Sequence, residues 1–161
     1  MELEVDVVRN GCQLTGKKNI ERYILGKHAE VTLEAPSGKY YTYQFRYPAR
    51  SQNNEFEKGT KFVYVAVGHK KYEYVGMLKS DRKFYHTRAS RYAKNSEQFK
   101  GAAYIVKMMN YDFETPMKLY HSGRCSVCGK KLTSPKSIAY GMGPKCSKIA
   151  AQSVFDFYNA R

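Results

Sequence analysis

The sequence has no tryptophan and no apolar run that approaches the length of a membrane span. A transmembrane helix needs about 18 or more consecutive apolar residues. The chain opens on the acidic stretch MELEVDVV, which lacks the basic start of a signal peptide. We therefore expect a soluble cytoplasmic protein, in the host cytoplasm if the protein is viral, with no membrane partner.

The sequence also lacks the motifs that mark common enzyme classes. It has no glycine-rich phosphate loop, no serine or cysteine nucleophile motif and no paired-carboxylate signature. A zinc deaminase needs a His-x-Glu motif ahead of its Pro-Cys-x-x-Cys, but residues 116–148 contain no Asp or Glu. The sequence thus predicts a binding protein rather than an enzyme.

Cysteine is scarce, with 4 in 161 residues, and two of the four form a Cys125-x-x-Cys128-Gly129 motif. Two thiolates on one tight turn can face a single metal ion, and the glycine lets backbone amides turn toward the sulfurs. Without a signal peptide, this spacing favours a metal site over a disulfide. The motif therefore predicts one half of a zinc site.

The other half of the predicted site comes from two positions that flank this motif. Cys146 follows Gly-Met-Gly-Pro144, and a proline favours the first turn of a helix, where the positive helix end stabilises a thiolate. His121, four residues before Cys125, completes a Cys3His set most simply, and Cys12 is the alternative fourth ligand. We expect this Zn²⁺ to be structural, because no acidic residue lies nearby to act as a general base.

The residues of this region resemble a known family. The pattern H-x-G-R-C-x-x-C-G-K-x-L-T-x-P-x-S-I, followed by G-x-G-P-x-C, spans residues 121–146. It is similar to the C-terminal signature of a domain-of-unknown-function family found in phage and prophage proteins, in which an Arg is commoner at the position of Lys130. The resemblance implies a viral or mobile-element origin and no established activity.

The formal net charge of +14 is unevenly distributed along the chain. Residues 1–60 carry 9 Lys/Arg and 8 Asp/Glu, whereas residues 61–161 carry 19 and 6. Such asymmetry indicates a face that binds a polyanion. The alternative interpretation is an ordinary solvated surface.

Two groups of residues are the candidates for contacts to nucleic acid. The first group comprises Arg82, Lys83, Tyr85, Arg88, Arg91 and Tyr92. The second group surrounds the predicted zinc site and comprises Arg124, Lys130, Lys131, Lys136, Lys145 and Lys148. Cations interleaved with aromatic rings suit phosphate contacts and base stacking, so we expect Tyr85 and Tyr92 to be exposed.

The sequence therefore predicts binding to DNA, RNA or a nucleoprotein complex. A second hypothesis is a phage-encoded inhibitor of a host defence or replication factor, for example an anti-CRISPR or another anti-defence protein. Such an inhibitor would act by protein contact, with the zinc only stabilising its fold.

Hydrophobic periodicity predicts an α+β protein in two parts. Strands are expected at residues 2–8, 30–34, 40–47, 62–67, 72–78 and 83–86, with 62–67 central, and a polar loop at 48–59. A short helix should end at Gly26, and a longer helix from about Ser96 to Asn110 should cover one face of the antiparallel sheet. Residues 1–115 would form this domain, and residues 116–161 a treble-clef-like zinc finger with a C-terminal helix.

Overall fold

The structure is a computed structural model that describes residues 12–48, 59–126 and 128–131. Within these residues the chain forms seven strands and two helices, which confirms the α+β class. The strands are β1 (Gln13–Leu14), β2 (Ala29–Glu34), β3 (Tyr40–Arg46), β4 (Lys61–Gly68), β5 (Lys71–Leu78), β6 (Phe84–Tyr85) and β7 (Lys118–His121). The helices are α1 (Lys17–Ile24) and α2 (Glu97–Asn110). The predicted strand at 2–8, the predicted C-terminal helix and most of the loop at 48–59 lie outside the described residues.

The strands form one antiparallel sheet in the order β1-β7-β2-β3-β4-β5-β6. Strands β2 and β3 form a hairpin, and β3 to β6 form a meander. Strand β4 is interior, as expected from its apolar sequence, but β3 occupies the middle of the seven. Strand β7 lies between β1 and β2, so the first residues of the predicted finger are part of the sheet.

Helix α2 covers one face of the sheet, as predicted. The Ser96 side chain accepts a hydrogen bond from the Phe99 amide and caps the first turn. The Tyr43 hydroxyl donates to the Gln98 carbonyl at 2.8 Å. Gly101 is required at this contact, since a Cβ there would lie 2.2 Å from the Tyr43 oxygen.

No helix within the described part of the chain is long and apolar enough to cross a membrane.

The carboxyl end of α1 is held by a buried lysine. Lys61 is fully buried, and its Nζ donates to the carbonyls of Ile24 and Gly26, each at 2.6 Å. The same Nζ lies 4.4 Å from the centre of the Tyr47 ring, and the Tyr47 hydroxyl donates to the Leu25 carbonyl at 2.7 Å. Burial lowers the pKa of Lys61 well below its usual value. The turn that follows α1 is therefore fixed from inside the core.

Buried tyrosines predict a loss of stability in alkali. Burial raises the pKa of Tyr23 and of Tyr47 to about 12, and that of Tyr43 further. Above about pH 10 the unfolded chain releases these protons while the folded chain keeps them, so the free energy of unfolding should fall, by roughly 2 kcal/mol for Tyr23 alone by pH 12. Urea unfolding at several pH values from 9 to 12 measures this fall.

Tyr23→Phe provides the control for the alkaline prediction. The substitution removes one titrating group, so the stability of the variant should depend less steeply on pH above 10. Lys61 has the opposite effect on stability, and at lower pH. Because its pKa is lowered in the folded protein, the unfolded chain holds that proton more tightly, and the free energy of unfolding rises with pH until about pH 10. A wild-type stability that stays constant from pH 10 to 12 would contradict the prediction.

Candidate metal centre and basic surface

The Cys-x-x-Cys motif lies in a tight hairpin turn, which we call the knuckle (residues 124–131). The Cys125 amide donates to the Lys130 carbonyl at 2.9 Å, and the Gly129 amide donates to the Cys125 carbonyl at 2.8 Å. An antiparallel bridge between Arg124 and Lys131 closes the turn. Gly129 adopts a φ of 78°, a left-handed conformation that favours glycine. Cys125 is buried and Cys128 is exposed.

The knuckle packs against the turn that follows α1. The His28 amide donates to the Ser126 carbonyl at 2.6 Å, and the His28 ring lies about 3.6 Å from where a Cβ of Gly129 would be. At Gly26, a Cβ would lie 2.5 Å from the Ser126 Oγ and 2.7 Å from its carbonyl oxygen. Only glycine allows this approach, so the knuckle and the turn fixed by Lys61 form one packed unit.

His121, the predicted fourth ligand, ends β7 and is fully buried against Tyr23, with 5.3 Å between the ring centres. Its Nδ1 accepts a hydrogen bond from the Gly123 amide at 2.9 Å. An accepting Nδ1 places the proton of a neutral imidazole on Nε2. Metal binding through either nitrogen would therefore require the ring to give up the bond from Gly123.

Cys12, the alternative ligand, lies next to His121 although 109 positions separate them in the sequence. The Cys12 carbonyl accepts from the His121 amide at 2.9 Å, and the Cys12 Sγ lies 3.8 Å from where a Cβ of Gly123 would be. Burial raises the pKa of the Cys12 thiol, which favours the thiol over the thiolate that binds metals.

The zinc site remains a prediction. Among residues 12–48, 59–126 and 128–131, no three His, Cys, Asp or Glu side chains are grouped as a metal site requires. Cys146, the predicted third thiolate, lies outside these residues. The backbone bonds around Cys125 form the tight turn that the prediction requires. Both candidates for the fourth position lie against Gly123, one residue before the knuckle.

The first basic group contains both paired and unpaired cations. Arg82 is half-buried and bonds to Glu21 of α1 at 3.1 Å and to Asn110 of α2 at 2.9 Å. Arg91 lies 3.7 Å from a Glu73 carboxylate oxygen. Lys83 and Arg88 are exposed, and neither side chain has a carboxylate partner among the described residues. Lys83 and Arg88 are thus the cations of this group best placed to meet a phosphate.

The prediction that Tyr85 and Tyr92 are exposed was wrong. Tyr92 packs against the core and its hydroxyl donates to Glu73 at 2.6 Å. Burial and this carboxylate raise the pKa of Tyr92 to about 12. Tyr85 is half-buried, with its hydroxyl bonded to Asp81 and the Lys79 Nζ 4.9 Å from its ring centre. Both rings are therefore less accessible to a base than the sequence predicted.

The second basic group lies on the knuckle. Arg124, Lys130 and Lys131 are exposed, and the Arg124 guanidinium donates to the Gly129 carbonyl at 3.3 Å. The remaining members of this group, Lys136, Lys145 and Lys148, lie outside the described residues. Helix α1 connects the two groups, since Arg82 bonds to its Glu21 and the knuckle packs on the turn that follows it.

Sequence reasoning missed Lys61 as a structural residue, although a signal was present. Lys61, Val63 and Val65 share one face of β4 by alternation, and both valines are fully or almost fully buried. A lysine in register with two core residues must find partners inside the protein or pay a large desolvation penalty. That pattern alone would have predicted its burial.

Comparison with known families identifies one segment of the chain. Residues 119–149 match a family of unknown function, DUF6011. The matched segment begins in β7 and runs through the knuckle, covering 31 of the 161 residues. In this segment the chain is similar to an uncharacterised domain, which carries no assigned activity. No curated protein and no solved structure matches the chain.

Proposed function

We propose that this protein is a zinc-containing, non-catalytic nucleic-acid-binding protein of phage or mobile-element origin. The observation that carries the proposal is the knuckle surface, where Lys130 and Lys131 are adjacent and exposed, without carboxylate partners among the described residues. Unpaired lysines on a rigid turn can each neutralise a phosphate without first breaking an ion pair. The concentration of positive charge in residues 61–161 supports the same assignment.

The proposed zinc would be held by Cys125, Cys128 and Cys146, with His121 as the fourth ligand and Cys12 as its rival. Zinc would stabilise the fold of the knuckle and the residues beyond it, and would keep the lysines in fixed positions. The backbone bonds of the hairpin and its packing against Gly26 support this role.

The exposed cations of both groups would act together on one polyanion. Lys83 and Arg88 contribute from the first group, and Lys130 and Lys131 from the second. Phosphate contacts carry little sequence information, and the described helices do not present a row of base-reading side chains. We therefore propose binding that depends little on base sequence.

Salt dependence of binding tests this function. The logarithm of the affinity should fall linearly with the logarithm of the salt concentration, with a slope on the order of −4 to −7 for duplex DNA. Replacing Lys130 and Lys131 together with glutamine should make the slope shallower by about two, because two phosphate contacts are lost. Fluorescence anisotropy with labelled oligonucleotides at several salt concentrations gives both slopes.

The pair Lys70 and Lys71 is a matched control, because these adjacent lysines are exposed at the turn between β4 and β5, outside both groups. Replacing them with glutamine removes the same charge but should leave the slope nearly unchanged. Absence of binding at low salt, or equal slopes for the two double variants, would contradict the proposal. Recovery of a host protein at a salt concentration that removes nucleic acid would then favour the inhibitor hypothesis.

A further inference from the structure

The face of the sheet turned away from the helices carries a cluster of aromatic rings. Val63 and Val65 pack in the core, so alternation directs Phe62 and Tyr64 to the opposite face. The ring centres of Tyr64 and Tyr74 are 5.7 Å apart, and those of Phe62 and Tyr74 are 5.9 Å apart. These rings are half-buried rather than covered. We call this surface, with Tyr72 and Arg46, the aromatic face.

Arg46 lies over two rings of the aromatic face. Its guanidinium carbon is 4.3 Å from the ring centre of Tyr64 and 5.0 Å from that of Tyr72. Its Nε donates to the Gln44 side chain at 2.6 Å. The Arg46 side chain is exposed and has no carboxylate partner among the described residues. The guanidinium is thus accessible to a ligand on this face.

The surroundings of Arg46 are already fixed by hydrogen bonds. The Tyr72 hydroxyl and the Gln44 side-chain amide both donate to one carboxylate oxygen of Glu30, at 2.7 and 2.9 Å. The Tyr74 hydroxyl accepts from Thr87 at 3.0 Å. Rings held in this way lose little conformational freedom when a ligand stacks on them, which favours binding.

We propose that the aromatic face binds single-stranded nucleic acid, with bases stacking on Arg46 and the neighbouring rings and the guanidinium contacting phosphate. This inference rests on the proposed function and extends it from phosphate contacts to the bases. Aromatic rings and arginine planes on an exposed sheet are suited to unpaired bases, whose flat surfaces are free. Bases in a duplex are already stacked on each other, so they cannot lie on this surface.

Two conservative substitutions test the stacking. Arg46→Lys keeps the positive charge but loses the flat guanidinium, and Tyr64→Leu removes a ring while Tyr64→Phe keeps it. Arg46→Lys and Tyr64→Leu should each weaken binding to unstructured oligonucleotides by about tenfold with little change in salt slope, because stacking is largely independent of salt. Tyr64→Phe should bind like the wild type, and duplex binding should be unaffected by all three.

Tyr111→Leu is the matched control, since Tyr111 is 64% exposed and directly follows α2, the helix on the opposite face of the sheet. Thermal unfolding of each variant verifies that the sheet is intact. If Arg46→Lys and Tyr64→Leu bind like the wild type while the Lys130/Lys131 variant is weakened, the inference falls and the proposed function stands. If no nucleic acid binds at low salt, both fall. A Tyr64→Leu variant that changes the sedimentation of the free protein would assign the face to contacts between copies and overturn the inference.

Discussion

Replacing Lys61 with alanine should lower the free energy of unfolding by about 3–5 kcal/mol. The variant loses the packing of a fully buried side chain and both hydrogen bonds from Nζ. The carbonyls of Ile24 and Gly26 would remain in the core without their donor. A domain of this size is stable by only about 5–15 kcal/mol, so urea unfolding followed by circular dichroism should show the change clearly.

Two further variants separate the causes of that loss. Lys61→Met keeps most of the apolar stem and removes only the amine, so we expect a smaller loss of about 2 kcal/mol. Lys83→Ala removes an exposed lysine and should change stability by less than about 0.5 kcal/mol. If Lys61→Ala unfolds at the same urea concentration as Lys83→Ala, the buried bonds to the turn after α1 do not stabilise the fold.

Cys128→Ser should abolish the binding of one zinc ion per chain and destabilise the protein on the order of several kcal/mol. Cys128 is exposed, so its replacement removes no core packing, and a large loss of stability would report the metal itself. Elemental analysis of the purified protein gives the zinc content, and urea unfolding with and without a chelator gives the stability.

The chelator provides the control for this prediction. It should destabilise the wild type and have no further effect on Cys128→Ser, which has already lost the metal. A wild-type protein that is purified without zinc, and whose stability is insensitive to the chelator, would mean that the knuckle folds through its backbone bonds and its packing alone.

The zinc measurement also decides the fourth ligand. His121→Asn keeps an acceptor for the Gly123 amide but lacks the imidazole, and it should lower zinc retention more than Cys12→Ala. His121 is close to the knuckle in sequence, and the raised pKa of Cys12 disfavours its thiolate. Both residues are buried, so zinc content must be compared at equal folded fraction. The opposite order would mean that the metal joins β1 to the knuckle.

Short-range patterns in the sequence determined much of the described fold. The apolar patterns of residues 30–34, 40–47, 62–67 and 72–78 predicted four strands, and the two short turns among them join strands that pair with each other. The pairing of β3 with β4 across the polar loop came from the structure. The apolar stripe from about Ser96 to Asn110 predicted α2. The turn at Cys125 and Cys128 also followed from local chemistry, since Gly129 provides the left-handed residue that the hairpin needs.

Only the tertiary structure decided what these elements contact. Strand β7 enters the sheet between β1 and β2, and this pairing brings Cys12 beside His121. The tertiary structure also decided that Lys61 donates hydrogen bonds to the turn after α1 and that the Tyr92 hydroxyl donates to Glu73. Periodicity reports which side chains face inward, but hydrogen bonds between distant segments depend on how the whole chain packs. The contacts of the knuckle with Gly26 and His28 therefore could not be predicted from the sequence.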